Sequence, residues 1–154
     1  MSLANLLNRI KSGLVDEPEP QRRHEPLRLA TAAVLLEIAH ADGEFTPAED
    51  EDIATFLARR FQLTSDDTRE LMEAATELRA RTIDYFALTN YIRKNASLDE
   101  RIEIVKTMWR MAYSDGKLTD YEGYLVRKLA DLLGLEHRVM IEAKTAVLEE
   151  RRRG

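Results

Sequence analysis

Two stretches of the sequence share one frame, and this frame decides how we interpret the rest of the chain. They are residues 39–49, Ala-His-Ala-Asp-Gly-Glu-Phe-Thr-Pro-Ala-Glu, and residues 112–122, Ala-Tyr-Ser-Asp-Gly-Lys-Leu-Thr-Asp-Tyr-Glu. Matched positions are separated by a constant offset, 115 − 42 = 73. An apolar run precedes each copy and an amphipathic run follows it. Because a fixed internal period indicates a repeated structural unit, we predict two related helical halves, each organised around an acidic turn.

The composition narrows the class of protein. A chain of 154 residues is the size of one domain, and its few glycines (6) and prolines (4) favour helices over a turn-rich β fold. The net charge of −5 argues against nucleic-acid binding, which needs a basic face to neutralise phosphates. Cysteine is absent, which excludes disulfides and thiolate metal sites. This absence fits a reducing compartment, and we predict a cytoplasmic protein.

Hydrophobic periodicity predicts an all-α domain of about seven helices. Residues 27–41 are almost wholly apolar, which indicates a buried helix, and its counterpart in the second half contains Trp109. We expect these two helices to pack together as the core. One amphipathic helix follows each acidic turn, two more are predicted at about 65–80 and 83–94, and a last one at about 136–152.

The same patterns divide the chain into four segments. They are an amphipathic helix at residues 1–14, a proline-rich acidic linker at 15–26, the helical domain at 27–150 and a basic tail at 151–154. Two interpretations of the first segment stay open. It docks on the domain or on a second copy of the chain, giving a homo-oligomer, or it is a peripheral membrane anchor. No apolar run reaches the ~18–20 residues that a spanning helix needs.

Helix capping explains most of the repeated motif. In each copy the threonine and the glutamate three residues later form a capping box, in which each side chain bonds the main-chain N–H of the other residue. The boxes are Thr46 with Glu49 and Thr119 with Glu122. Pro47 then stands at the first helical position, and Gly43 and Gly116 are placed as the C′ residues of the preceding helices.

Capping does not explain Asp42 and Asp115, since a helix C-terminus disfavours negative charge. The spacing Asp-Gly-x₅-Glu matches positions 5, 6 and 12 of a calcium-binding EF-hand loop. The expected carboxylates at positions 1 and 3 are missing from both copies, so a complete EF-hand is excluded. Two alternatives remain: the turns only cap helices, or they hold a divalent cation such as Ca²⁺ or Mg²⁺. The candidate metal ligands are Asp42, Glu49, Asp115 and Glu122.

The sequence shows no catalytic set. His40 is the only histidine in the motif, and a lone histidine at the end of a buried helix is more often a core residue than a ligand. No nucleophile and base occur in a recognisable arrangement. We predict that the protein is not an enzyme, and the sequence indicates no cofactor other than the divalent cation considered above.

At these residues the chain resembles the TerB-like domains, named after the bacterial tellurite-resistance protein TerB. The resemblance covers about residues 27–148. It rests on the doubled Asp-Gly turns with their downstream glutamates, on Asp99-Glu100-Arg101 and on Leu133-Gly134-Leu135. It implies an all-helical fold, mostly of seven helices in two similar halves, and a role in tellurite or other chemical stress. We expect that role to depend on protein partners. Related domains also occur in membrane-associated co-chaperones.

The resemblance also implies a metal cluster at the acidic turns. Carried over to this sequence, its residues are Asp42, Glu49, Asp115 and Glu122, with Glu44 and Asp50 as further candidates. Lys117 stands where the first turn has Glu44, so the two turns are not equivalent in charge.

Overall fold

The computed structural model describes residues 20–40, 47–81, 85–114 and 118–153. Within these ranges the chain forms seven α-helices and no strand, which confirms the all-α prediction. The helices are α1 (Pro20–Ala39), α2 (Pro47–Phe61), α3 (Ser65–Arg81), α4 (Tyr85–Asn95), α5 (Leu98–Ala112), α6 (Asp120–Leu132) and α7 (His137–Arg153). The internal repeat stays a prediction. None of the helices in the described ranges is long and apolar enough to cross a membrane.

Helix α1 is the centre of the domain. From Leu27 to Ala39 nearly all of its side chains are buried, and Ala30, Val34 and Leu35 are completely inaccessible. It packs against every helix from α2 to α6. An apolar surface on all sides is the pattern of a helix surrounded by others, as predicted from the composition of this stretch.

Helix α5 is the second core element. Val105, Met108 and Trp109 are inaccessible to solvent, and the helix packs against α1, α2, α6 and α7. Each such side chain contributes about 1.5–3 kcal/mol by its removal from water. The predicted pairing of the two apolar helices is therefore confirmed.

The predicted start of the first helix is wrong. Helix α1 begins at Pro20, seven residues before the expected start (27 − 20 = 7), so residues 20–26 of the predicted linker are helical. Pro20 permits this start, because the N–H that it lacks has no helical partner at the first position anyway. Pro26 lies inside the helix, where it forfeits one hydrogen bond of the early turns. The division of the chain into four segments stays a prediction.

Helices α2 and α3 form a helical hairpin. It is closed by Gln62, which adopts the left-handed region at φ 55°, and by Thr64, whose hydroxyl accepts a 3.1 Å hydrogen bond from the N–H of Asp67. The guanidinium of Arg28 lies 5.8 Å from the ring centroid of Phe61. This contact places the N-terminal part of α1 beside the closed end of the hairpin.

Candidate functional site

Two of the four predicted metal ligands lie in the described part of the chain. Glu49 and Glu122 each occupy the third position of a helix, α2 and α6 respectively. Both are buried, with 4% and 3% of their surface exposed. Asp42 and Asp115 lie outside the described residues, as does Glu44. Asp50 is described and is exposed at the start of α2.

The second turn contains the predicted capping box. The N–H of Glu122 donates to the hydroxyl of Thr119 at 3.0 Å, and the N–H of Thr119 donates to Oε1 of Glu122 at 3.1 Å. The box engages Oε1 and leaves Oε2 for a second partner. A carboxylate this deeply buried needs such partners, because removal of an isolated charge from water is costly.

The first turn agrees with the prediction where it is described. Helix α2 begins at Pro47, so this proline holds the predicted first position and Glu49 the third. The other member of the first box, Thr46, lies outside the described residues, and that box stays a prediction.

The predicted C′ role of Gly116 is wrong. Helix α5 ends at Ala112 and is capped by Tyr113, whose N–H donates to the carbonyl of Trp109 at 3.0 Å. The residue after the cap is Ser114, whose N–H and hydroxyl both reach the carbonyl of Met111, at 3.1 and 2.8 Å. The helix therefore ends before the glycine.

Two other short motifs of the sequence meet in space. Nη1 of Arg101 donates a 2.8 Å hydrogen bond to the carbonyl oxygen of Leu133. Gly134 follows at φ 81°, the predicted C′ residue of α6. Ser97 caps α5 as predicted, by accepting from the N–H of Glu100 at 3.1 Å. The carboxylate of Glu100 pairs with Arg60 of α2, so only the serine half of that predicted box is confirmed.

A family model described as "Tellurite resistance protein TerB" matches residues 28–145. The chain belongs to the TerB family. The match includes both acidic turns and reaches from α1 into α7. No curated protein and no solved structure matches the chain.

The described residues of this TerB-family domain do not form a metal site by themselves. Among them, no three histidine, aspartate or glutamate side chains lie together in a way that could hold an ion. Any site at the turns therefore requires Asp42 or Asp115 beside the buried glutamates. The four predicted ligands stay a prediction.

A charged cleft between α2 and α5 was not predicted from the sequence. It has a volume of 600 Å³ and its walls carry Glu51, Asp52, Glu103, Arg59, Arg60 and Arg110. Arg110 forms a bidentate ion pair with Glu150 of α7, with Nε–Oε2 and Nη2–Oε1 distances of 3.0 and 2.9 Å. Partners 40 residues apart leave no local pattern that a sequence could reveal.

The pKa values of two carboxyls around this cleft are shifted in opposite directions. Burial raises the pKa of Asp52, and the charge of Glu51 adds to the effect, while Arg110 and Arg151 oppose it. Hydrogen bonding from Arg110 lowers the pKa of Glu150. The negative charge of Asp52 is therefore only partly offset by nearby cations, whereas that of Glu150 is offset by its ion pair with Arg110.

Proposed function

We propose that this TerB-family domain is a non-catalytic module of chemical-stress response that binds a divalent cation at its acidic turns and protein partners on its surface. The observation that carries the proposal is the burial of Glu49 and Glu122. Each is almost inaccessible at the start of the helix that follows an Asp-Gly turn. A capping box alone does not require that depth, and a cation held at each turn would stabilise a carboxylate buried there.

The donor set fits a hard cation. Asp42, Glu49, Asp115 and Glu122 offer only carboxylate oxygens, which Ca²⁺ and Mg²⁺ prefer. Zinc favours nitrogen and sulfur, and the chain contains no cysteine. Because Lys117 replaces the acid of the first turn, we expect the first turn to contribute more of the affinity.

The carboxylates of the acidic turns also argue against tellurite as their ligand. Tellurite is an oxyanion, and a cluster of carboxylates repels it. We therefore propose that the domain acts through its cation and its partners, and that tellurite itself is not the ligand of the turns.

An exposed aromatic surface beside the second turn supports binding to a protein. Tyr121 and Tyr124 of α6 are 56% and 52% exposed, and their ring centroids lie 6.4 Å apart. The ammonium of Lys128 lies 5.9 Å from the ring centroid of Tyr124 and 5.5 Å from that of Tyr85 of α4. Exposed tyrosines grouped in this way are enriched where partners bind.

Thermal unfolding tests the cation. The protein is stripped with chelator and melted with Ca²⁺, Mg²⁺, Mn²⁺ or Zn²⁺ in turn. A site filled at 100 times its Kd adds about 2.7 kcal/mol, which raises the midpoint by about 5–10 °C in a domain of this size. We expect a selective rise with Ca²⁺ or Mg²⁺.

The variant Glu49→Gln/Glu122→Gln separates ligation from capping. Glutamine still closes a capping box but lacks the charge that a hard cation needs. The variant should lose the metal-dependent rise while melting normally in chelator. Glu136→Gln/Glu149→Gln removes the same charge from exposed positions of the surface and should keep the rise. An equal rise in both variants would refute the assignment of the site.

A further inference from the structure

A cleft between α2 and α3 lies apart from the acidic turns. It has a volume of 690 Å³, and its walls combine four half-buried apolar side chains with four hydroxyl side chains. The apolar ones are Ala54, Ala58, Leu63 and Met72, and the hydroxyl ones are Thr55, Ser65, Thr68 and Thr76. Asp50 and Glu73 are exposed at its edge, one on each helix. Small and flexible apolar side chains on two facing helices are the lining of a groove that accepts the apolar side of a third helix.

The dimensions of the cleft are those of a short helix. Its lining runs from residue 65 to residue 76 along α3, a rise of about 17 Å at 1.5 Å per residue. The apolar positions of the amphipathic helix predicted at residues 1–14 run from residue 3 to residue 14, also about 17 Å on the same measure. Its apolar side consists of Leu3, Leu6, Leu7, Ile10 and Leu14.

We infer that the segment of residues 1–14 docks in the α2–α3 cleft of its own chain, with its leucine side against Ala58 and Met72. The cleft is the surface that this segment covers, and the inference stands independently of the proposed cation site.

The chain is long enough for this arrangement. Arg28 lies beside Phe61 at the closed end of the hairpin, and α1 starts eight residues earlier, about 12 Å further along its axis. To reach the cleft, the chain must run back about 12 Å along the axis of α1 and move sideways by one helix spacing of about 10 Å. The straight path that combines the two displacements is about 16 Å. Residues 15–19 can span at most about 17 Å. Residues 15–19 are therefore long enough for the segment to reach the cleft of its own chain at the end where Leu63 lies.

The charges agree with the same placement. At about 100° per residue, Arg9 and Lys11 fall on opposite flanks of the leucine side. The two edges of the cleft carry Asp50 on α2 and Glu73 on α3, and neither forms an ion pair with another described residue. The one cation of the lining, Arg69, is paired with Asp66 at 3.1 Å. In this placement the cations of residues 1–14 lie near Asp50 and Glu73, the two acids at the edges of the cleft.

Docking would make the segment a regulated surface. While it lies in the cleft its leucines are covered, and a membrane or a second copy of the chain can bind them only after release. Binding at any of these places excludes the other two, because one apolar side serves all three.

Thiol labelling in the full chain tests the inference, since the protein has no cysteine of its own. Ala58→Cys places a single thiol in the cleft, and Ala54→Cys supplies a second reporter one turn away. Ala87→Cys on α4 is the matched control, because Ala87 is half-buried like Ala58 but lies outside the cleft. Each thiol is labelled with a maleimide in the native N-terminus and in a Leu6→Asp/Ile10→Asp background.

We expect the aspartate background to accelerate labelling in the cleft about tenfold, the factor for a segment docked nine-tenths of the time. Labelling at Ala87→Cys should not change. Asn5→Asp/Asn8→Asp adds the same charge to the polar side and should leave the cleft protected.

Three results would overturn the inference. Equal labelling in both backgrounds would show that the segment does not cover the cleft. Protection that disappears on dilution would assign the cleft to the segment of a second copy. Protection that requires anionic vesicles would assign the segment to a membrane surface.

Discussion

The guanidinium of Arg101 is hydrogen-bonded to the last carbonyl of a neighbouring helix, with 2.8 Å between its Nη1 and the oxygen of Leu133. The bond joins the first turn of α5 to the C-terminal end of α6. A cation at this end is favourable, because the helix dipole leaves the terminal carbonyls partly negative. Two of the motifs that carried the family resemblance thus form one contact, which fixes α6 on the core helix α5.

Loss of this contact should destabilise the fold. We expect Arg101→Ala to lower the free energy of unfolding by about 1–3 kcal/mol, the range for a buried carbonyl that loses its partner. Urea titration measures the change. Arg138→Ala, which removes an exposed ion pair of α7, should cost less than about 0.5 kcal/mol. Equal small effects in the two variants would mean that the Arg101 contact is dispensable.

Gly134→Ala should be destabilising for two reasons. The residue has φ of 81°, which costs an L-amino acid about 1–2 kcal/mol. A Cβ atom would also lie 2.9 Å from Nη1 of Arg101. Arg93 crowds the same position, with its Cδ 3.0 Å from that Cβ atom. Because Arg101 causes only part of the crowding, the cost should fall in part when Arg101→Ala is present. Strict additivity in the double variant would show that the contact with Arg101 adds nothing to the cost of the substitution.

The charged cleft predicts opposite pH effects for two carboxyls. The pKa of Asp52 is raised in the folded state, so its ionised form opposes folding above that pKa. Asp52→Asn should therefore stabilise the protein near pH 7, by less than about 1 kcal/mol because the group is only partly buried and solvent still screens its charge. The gain should vanish once the pH falls below the ordinary carboxyl value of 3.8.

Glu150→Gln should change the stability in the opposite direction to Asp52→Asn. Its carboxyl has a lowered pKa, so its contribution is present above the ordinary value of 4.5 and is lost as the pH falls through the folded value. The variant should be less stable than the native protein at pH 7 and equal to it in acid. The unfolding midpoints of both variants and of the native protein are measured between pH 2 and pH 7. Shifts of both variants in the same direction from the native midpoint would refute this account.

Sequence reasoning succeeded where local patterns govern structure. Apolar periodicity identified the buried helices, and the Thr119–Glu122 box and the Gly134 terminus follow from hydrogen bonds within a few residues. It failed where local signals conflict or distant residues meet. The prolines of residues 20–26 predict a linker, yet Pro20 holds the first helical position, where proline is tolerated, and Pro26 costs the helix a hydrogen bond without ending it.

The site shows the same division. The positions of Glu49 and Glu122 at the starts of α2 and α6 were predictable from the capping pattern. Their near-complete burial depends on the packing of several helices and could not be predicted from the motif. Arg101 with Leu133, 32 residues apart, likewise meets only in the folded chain.

The central claim is that the acidic turns bind a divalent cation. Isothermal titration calorimetry of the chelator-stripped protein with Ca²⁺ and with Mg²⁺ tests it directly. The account predicts saturable binding of at least one of these ions by the native chain and by Glu136→Gln/Glu149→Gln. It predicts none by Glu49→Gln/Glu122→Gln, provided that this variant keeps its helical circular dichroism. No binding by the native protein, or equal binding by all three proteins, would contradict the account and leave the acidic turns as helix caps.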